Sequence, residues 1–180
     1  MTEPNVMRAP VVGAVGGGVG ATVLAALLEC PEAGVVAGDG SQPVDVLVCR
    51  STAHSVREAI AVAARMGGAP VLAVVAVVAD CSHSPPSAVR HRLRMAGPNL
   101  TGIVAVPWWD WLRETDDPAA HTTTLAAGVP ARSKAGKSVL AIRDQLVAAV
   151  TPLLSAPLPS APAVPPDEQS PPATPQAHVS

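Results

Sequence analysis

Gly16, Gly17, Gly18, Val19, Gly20, Ala21 and Thr22 form the stretch of this chain best suited to chemistry. An apolar run containing Val11 and Val12 precedes it, and an apolar segment, 23–28, follows. The order is strand, glycine loop, helix, which presents backbone N–H groups to an anion, usually a phosphate. Glycine suits such a loop because the backbone must adopt positive φ and leave room for a ligand. Set on the phosphate-loop pattern G-x-x-x-x-G-K-[ST], Gly20 and Thr22 match, whereas Val15 and Ala21 stand where glycine and lysine belong. The dinucleotide pattern G-x-G-x-x-G/A fits Gly16, Gly18 and Ala21, and Asp39 lies about 20 residues on, where a ribose-binding acid belongs. A third template is a membrane helix over residues 9–28. No charge falls between Arg8 and Glu29, and Gly13/Gly17 and Gly16/Gly20 have G-x-x-x-G spacing. Consecutive glycines in its middle weigh against a robust helix.

Other residues offer weaker chemistry. Trp108, Trp109 and Trp111 are all the aromatic residues the chain has. They suit either a cap on the core or a surface for a protein partner, where tryptophan is over-used. A membrane-interface foot is a further reading. Cys81 and His83 lack a second pair at metal-ligand spacing, and a reactive thiol at Cys81 is a minor alternative. Gly136-Lys137-Ser138 repeats the letters G-K-S without the upstream glycine or strand, and reads as the first turn of a helix. Arg90, His91, Arg92 and Arg94 crowd one short helix and read as a solvated face. Asp116 and Asp117, just before Pro118, suit an exposed turn.

The elements that must position these groups alternate in type. Strands are expected at 10–15, 34–37, 44–49, 70–78 and 100–106, and helices at 21–30, 55–66, 87–95 and 133–151. Residues 115–128 are polar and expected to form a loop. Such alternation gives an α/β fold of three layers, a mainly parallel sheet with helices on both faces. Its ligands bind at the carboxyl ends of the strands, which the glycine loop, Asp39, 50–52, 80–83 and the tryptophans all follow.

The chain has 180 residues, enough for one domain with a real core. That domain is expected over 10–151, after a disordered lead-in, 1–9, and before a disordered tail, 152–180, rich in Pro, Ala and Ser. With neither Phe nor Tyr, the core must be built from Val, Leu, Ala and Ile. A net charge of −2 does not suit a general nucleic-acid binder. Three scattered cysteines give no disulfide framework and point to a reducing, cytoplasmic setting. Glu3 ahead of Arg8, with no clear cleavage site after the apolar stretch, speaks against a signal peptide.

The segment GGGVGAT before an apolar helix resembles the deviant Walker loop of the MinD/ParA ATPases, K-G-G-x-G-K-[ST], and most the branch that has GGVGATT. Gly17, Gly18, Val19, Gly20 and Thr22 match, while Gly16 and Ala21 replace the two lysines. VDVLVCRSTAHSVREA, LTGIVAVPWWDWL and GVPARSKAGKSVLAIRDQL are loosely similar to later segments of that family. The resemblance implies a P-loop NTPase-like or Rossmann-like sheet that binds ATP at Gly16 through Thr22, with the Thr22 hydroxyl on magnesium. It also implies a homodimer formed through nucleotide and a regulatory role in a bacterial positioning, partition, conjugation or secretion apparatus. Without its lysines the loop keeps its N–H cradle and loses mobile positive charge, so weak or absent hydrolysis is expected. The Trp cluster and the proline-rich tail are the expected contacts for a protein partner, with membrane contact at most peripheral. A Rossmann-type NAD(P) binder is the alternative from another class.

Overall fold

The computed structural model describes residues 8–66, 71–127 and 133–155. The tail beyond Ser155 and the first seven residues of the lead-in lie outside the described residues. Five strands and five helices follow in the order β1 (Val12–Ala14), α1 (Ala21–Leu27), β2 (Glu32–Val35), β3 (Val46–Arg50), α2 (Ala53–Arg65), β4 (Val71–Val78), α3 (Ser87–Ala96), β5 (Leu100–Val106), α4 (Pro118–Ala126) and α5 (Lys134–Ser155), with no helix between β2 and β3 among the described residues. All strand pairings are parallel, in the order β2-β1-β3-β4-β5. The expected three-layer α/β architecture is the one observed.

The strands are apolar runs because both faces of the sheet are covered. Val46 and Val48 of β3, and Val74 and Ala76 of β4, face one core, with Val104 and Val106 of β5. The alternate residues Leu47, Cys49, Val75 and Val77 face the other. Helices α1, α4 and α5 cover the first face, and α2 and α3 the second. Val56, Ala59, Val62 and Ala63 form the buried stripe of α2. Thr52 caps that helix by accepting a hydrogen bond from the Ser55 N–H. In α5 the stripe is Val139, Ile142, Leu146, Val150 and Leu153. Among the described residues, α5 is the helix long and apolar enough to cross a membrane, and it lies packed on β4 and β5.

Several expectations need correction. Residues 9–28 contain a strand, a loop and a seven-residue helix, so no single helix spans them. Strand β2 begins at Glu32 rather than residue 34, and Val36 has already turned into the core. Helix α1 ends at Leu27, three residues early, in a Schellman stop. There Cys30 N–H donates to Ala25 O at 3.0 Å and Glu29 N–H to Ala26 O at 3.2 Å. Residues 115–128 are not simply a loop. Asp117 accepts from the Ala120 N–H at 2.9 Å, Pro118 takes the first turn, and α4 buries Thr122, Leu125 and Ala126. The expected tail begins too soon at 152: α5 continues through Pro152 to Ser155 because Leu153 is buried in the core. The lead-in also ends sooner than expected, since Arg8 donates two hydrogen bonds, 2.6 and 2.7 Å, to the Asp45 carboxylate.

Candidate functional site

The carboxyl ends of β1, β3, β4 and β5 share one rim. After β1 the chain goes out to β2, and then crosses to β3 on the other side of β1. This reversal is the topological switch point, where open parallel sheets hold their ligands. The glycine loop follows β1 on one side of that point and Arg50 closes β3 on the other.

Within the loop, Gly18 (φ 67) and Gly20 (φ 92) take the left-handed backbone that glycine permits. A side chain built on Gly16 or Gly17 would meet nothing, so this part of the loop stands in open space. Val19 and Ala21 turn inward, each 5% exposed, and anchor the loop to the core. Gly20 caps α1 without a side-chain bond. The Arg50 guanidinium reaches across from β3, its Nη2 donating to the Gly18 carbonyl at 2.9 Å.

Hydrogen bonds fix the base of Arg50. Its N–H donates to Ser55 Oγ at 3.0 Å, and Ser51 N–H donates to Val78 O at 2.8 Å. The buried Ser51 hydroxyl donates to Asp80 Oδ1 at 2.7 Å and accepts from the Asp80 N–H at 3.2 Å. These contacts stitch β3 to β4 and leave the arginine head projecting over the glycines.

The far wall comes from the turn after β5. Trp108 is half-buried, with its Nε1 donating to Asp110 Oδ1 at 2.6 Å. The Arg113 guanidinium lies over its ring, 4.7 Å from the centroid, a cation–π contact. Trp109 is 6% exposed and belongs to the core. Trp111 stacks on it with ring centroids 5.5 Å apart and lies 5.0 Å from His121. The Trp111 ring N–H is buried with no hydrogen-bond partner.

These walls enclose a cleft of about 230 Å³, lined by Gly18, Val19 and Gly20, by Arg50 and Arg113, and by Asp80, Trp108 and Trp109 among others. Its side-chain charges are two arginines against one aspartate. The arrangement can hold an anion between bare loop backbone and planar guanidinium donors, with an aromatic face at its edge.

Not every residue singled out from sequence comes to this place. Thr22 is exposed on α1 and does not line the cleft. Asp39 also lies outside it, in the turn after β2. Its carboxylate accepts from the Ser41 N–H at 2.9 Å. Hydrogen bonds from Ser41 and, more weakly, the charge of Arg65 hold that carboxyl below the usual carboxylate range. As partner surfaces the three tryptophans divide. Trp109 is a buried core residue, while Trp108 and Trp111 keep part of their surface exposed. To magnesium the cleft offers one carboxylate, Asp80, whose Oδ1 already accepts from the Ser51 hydroxyl, and the Thr22 hydroxyl lies outside it. No sequence pattern points to Arg50 or Arg113. The one signal for Arg50 is its position at the end of an apolar strand, on the expected rim.

Two arginines of the basic helix are spent locally, and Cys81 is a free, exposed thiol. Arg92 donates to Ala53 O at 2.7 Å and Arg90 to Pro85 O at 3.0 Å, so the basic helix braces its neighbours. A second depression, about 350 Å³, lies between α2 and the β2–β3 turn. Its Arg65 is bonded to Gly38 O, and its Arg57 and Glu58 to His54. No family model, no curated protein and no solved structure matches this chain.

Proposed function

We propose that this protein binds a nucleotide at the switch-point cleft with weak or no hydrolysis, as a degenerate relative of the MinD/ParA ATPases that acts as a regulatory or scaffolding partner. The observation that carries this reading is Arg50 poised over Gly18, which brings a fixed cation to a loop without lysines. Phosphate oxygens would meet the glycine backbone and a guanidinium fork together, a charge-assisted arrangement roughly twice as strong as neutral hydrogen bonding. Phosphoryl transfer needs charge neutralisation around the transferred group, supplied in such enzymes by mobile lysine and metal. Here the loop offers neither lysine, and Thr22 points no hydroxyl into the cleft, which supports binding without turnover. The partly exposed Trp108 and Trp111 are the surface offered to a protein partner in this reading, which sets the protein in the bacterial cytoplasm.

Calorimetric titration with ATP, with and without magnesium, and with NADH tests it. Binding of ATP without phosphate release, lost in Arg50→Ala and kept in Thr22→Ala, is the expected result. Binding of NADH alone would favour the dinucleotide reading instead, against which the position of Asp39 outside the cleft already weighs.

A further inference from the structure

We infer that the cleft takes a nucleoside diphosphate as the metal-free anion, its phosphates held by Arg50 and Arg113 in place of a magnesium ion. This rests on the nucleotide reading above and goes beyond it in naming the charge state of the ligand.

The donors decide the point. Magnesium demands near-octahedral oxygen coordination and is held through carboxylates and phosphates. The carboxylate that lines the cleft, Asp80, is engaged by the Ser51 hydroxyl, whose oxygen in turn takes the Asp80 N–H. Asp110, on the turn beside it, accepts from the Trp108 ring N–H. Thr22 lies outside. What the cleft does present is two exposed guanidinium groups. Each can bind phosphate oxygens in a two-pronged fork. In this state Arg50 spends an N–H on the neutral carbonyl of Gly18, a weaker acceptor than a phosphate oxygen. A diphosphate entering the cleft would give the Arg50 guanidinium a charged acceptor in place of a neutral one.

Size points the same way. At about 230 Å³ the cleft falls below the ~300–1,000 Å³ of pockets that engulf a drug-sized ligand. It suits two phosphates inside, with the nucleoside at the mouth against the half-exposed Trp108. A magnesium ion chelated by the diphosphate cancels two of its negative charges before it meets the arginines, and so opposes binding.

The test is isothermal titration of the full chain with ADP in EDTA, with ADP in excess magnesium, and with pyrophosphate in EDTA. ADP should bind in EDTA, excess magnesium should weaken it about tenfold, and pyrophosphate, which lacks the nucleoside that meets Trp108, should bind more weakly than ADP. Arg50→Ala and Arg113→Ala should each weaken ADP at least about tenfold, as loss of a charged hydrogen-bond donor does. Both positions are exposed, so circular dichroism should show each variant folded. ADP that binds only with magnesium overturns this inference and leaves the nucleotide reading standing. Pyrophosphate binding as tightly as ADP overturns the nucleoside part of the ligand. Silence with every anion overturns both the inference and the reading beneath it.

Discussion

Trp109 donates its indole N–H to the Ser138 hydroxyl at 2.9 Å, tying the turn after β5 to the second turn of α5. The tryptophan is buried, and its ring fills the corner between the cleft floor and α4 and α5. Trp109→Ala should therefore cost on the order of 3–5 kcal/mol, as truncation of a buried large aromatic does. Ser138→Ala should cost about 1 kcal/mol, the net worth of one hydrogen bond. Urea unfolding followed by circular dichroism measures both. A smaller loss for Trp109→Ala than for the half-exposed Trp108→Ala would refute the assignment of Trp109 to the core.

The Arg8–Asp45 pair predicts an asymmetric result. Asp45 is 5% exposed and also accepts from the Val11 N–H at 2.8 Å, so its loss strands a backbone donor beside β1. Asp45→Ala should cost about 1–3 kcal/mol. Arg8 has a half-exposed side chain, so water can take its place beside the buried carboxylate, and Arg8→Ala should cost less, about 1 kcal/mol. Equal losses in a denaturant titration would mean that the carboxylate matters only through the arginine.

Glu29 occupies the left-handed stop of α1 at φ 51. Glycine takes that conformation without the steric conflict that a Cβ meets. Glu29→Gly should raise stability by about 0.5–1 kcal/mol, the gain from relieved strain exceeding the unfolded-state entropy that glycine adds. The substitution also removes the ion pair from Glu29 to Arg143, which at 3.9 Å across an exposed surface contributes little. A fall in the thermal midpoint would show that the ion pair outweighs the backbone.

The cysteines predict a pH dependence. Burial, helped by the charge of Asp45, pushes the Cys30 thiol up to about 11, and burial alone pushes Cys49 up to about 12, from an ordinary 9.0. Both hold their proton more tightly when folded, so they favour the native state fully below pH 9. That contribution is lost as pH rises through about 11 and 12. Stability to denaturant should fall between pH 9 and 11, less so in Cys49→Ala. At pH 8 an aromatic disulfide reagent should titrate the exposed Cys81 in the native protein and all three thiols after unfolding.

The inner strands are legible in the sequence because burial on both faces forces uninterrupted apolar runs, as in VLVC of β3 and VLAVVAVV of β4. Helix α4 is hidden by its threonines, whose hydroxyls return to carbonyls one turn back, as Thr122 Oγ does to Pro118 O at 2.7 Å. Its start signals, Asp117 and Pro118, are plain in the sequence but suit a turn equally well. At the cleft, Gly18, Val19 and Gly20 are legible because their spacing is local. Arg50 is legible only as a rim position; its reach to Gly18 is not, since that depends on β3 lying beside β1, a neighbour relation that no local pattern carries. Thr22 and Asp39 fit motif templates by spacing alone, and the short connection from β2 to β3 leaves Asp39 to close its own turn.

The three tryptophans share one corner of the sheet, and the chain has neither Tyr nor Phe. All of the protein's intrinsic fluorescence therefore originates beside the cleft, on the side of the sheet that carries α4 and α5. Emission is blind to the opposite layer of α2 and α3, whose unfolding only an amide signal such as circular dichroism records. Melting curves from the two signals that coincide would show both layers parting from the sheet as one cooperative unit, and curves that separate would reveal which layer leaves first.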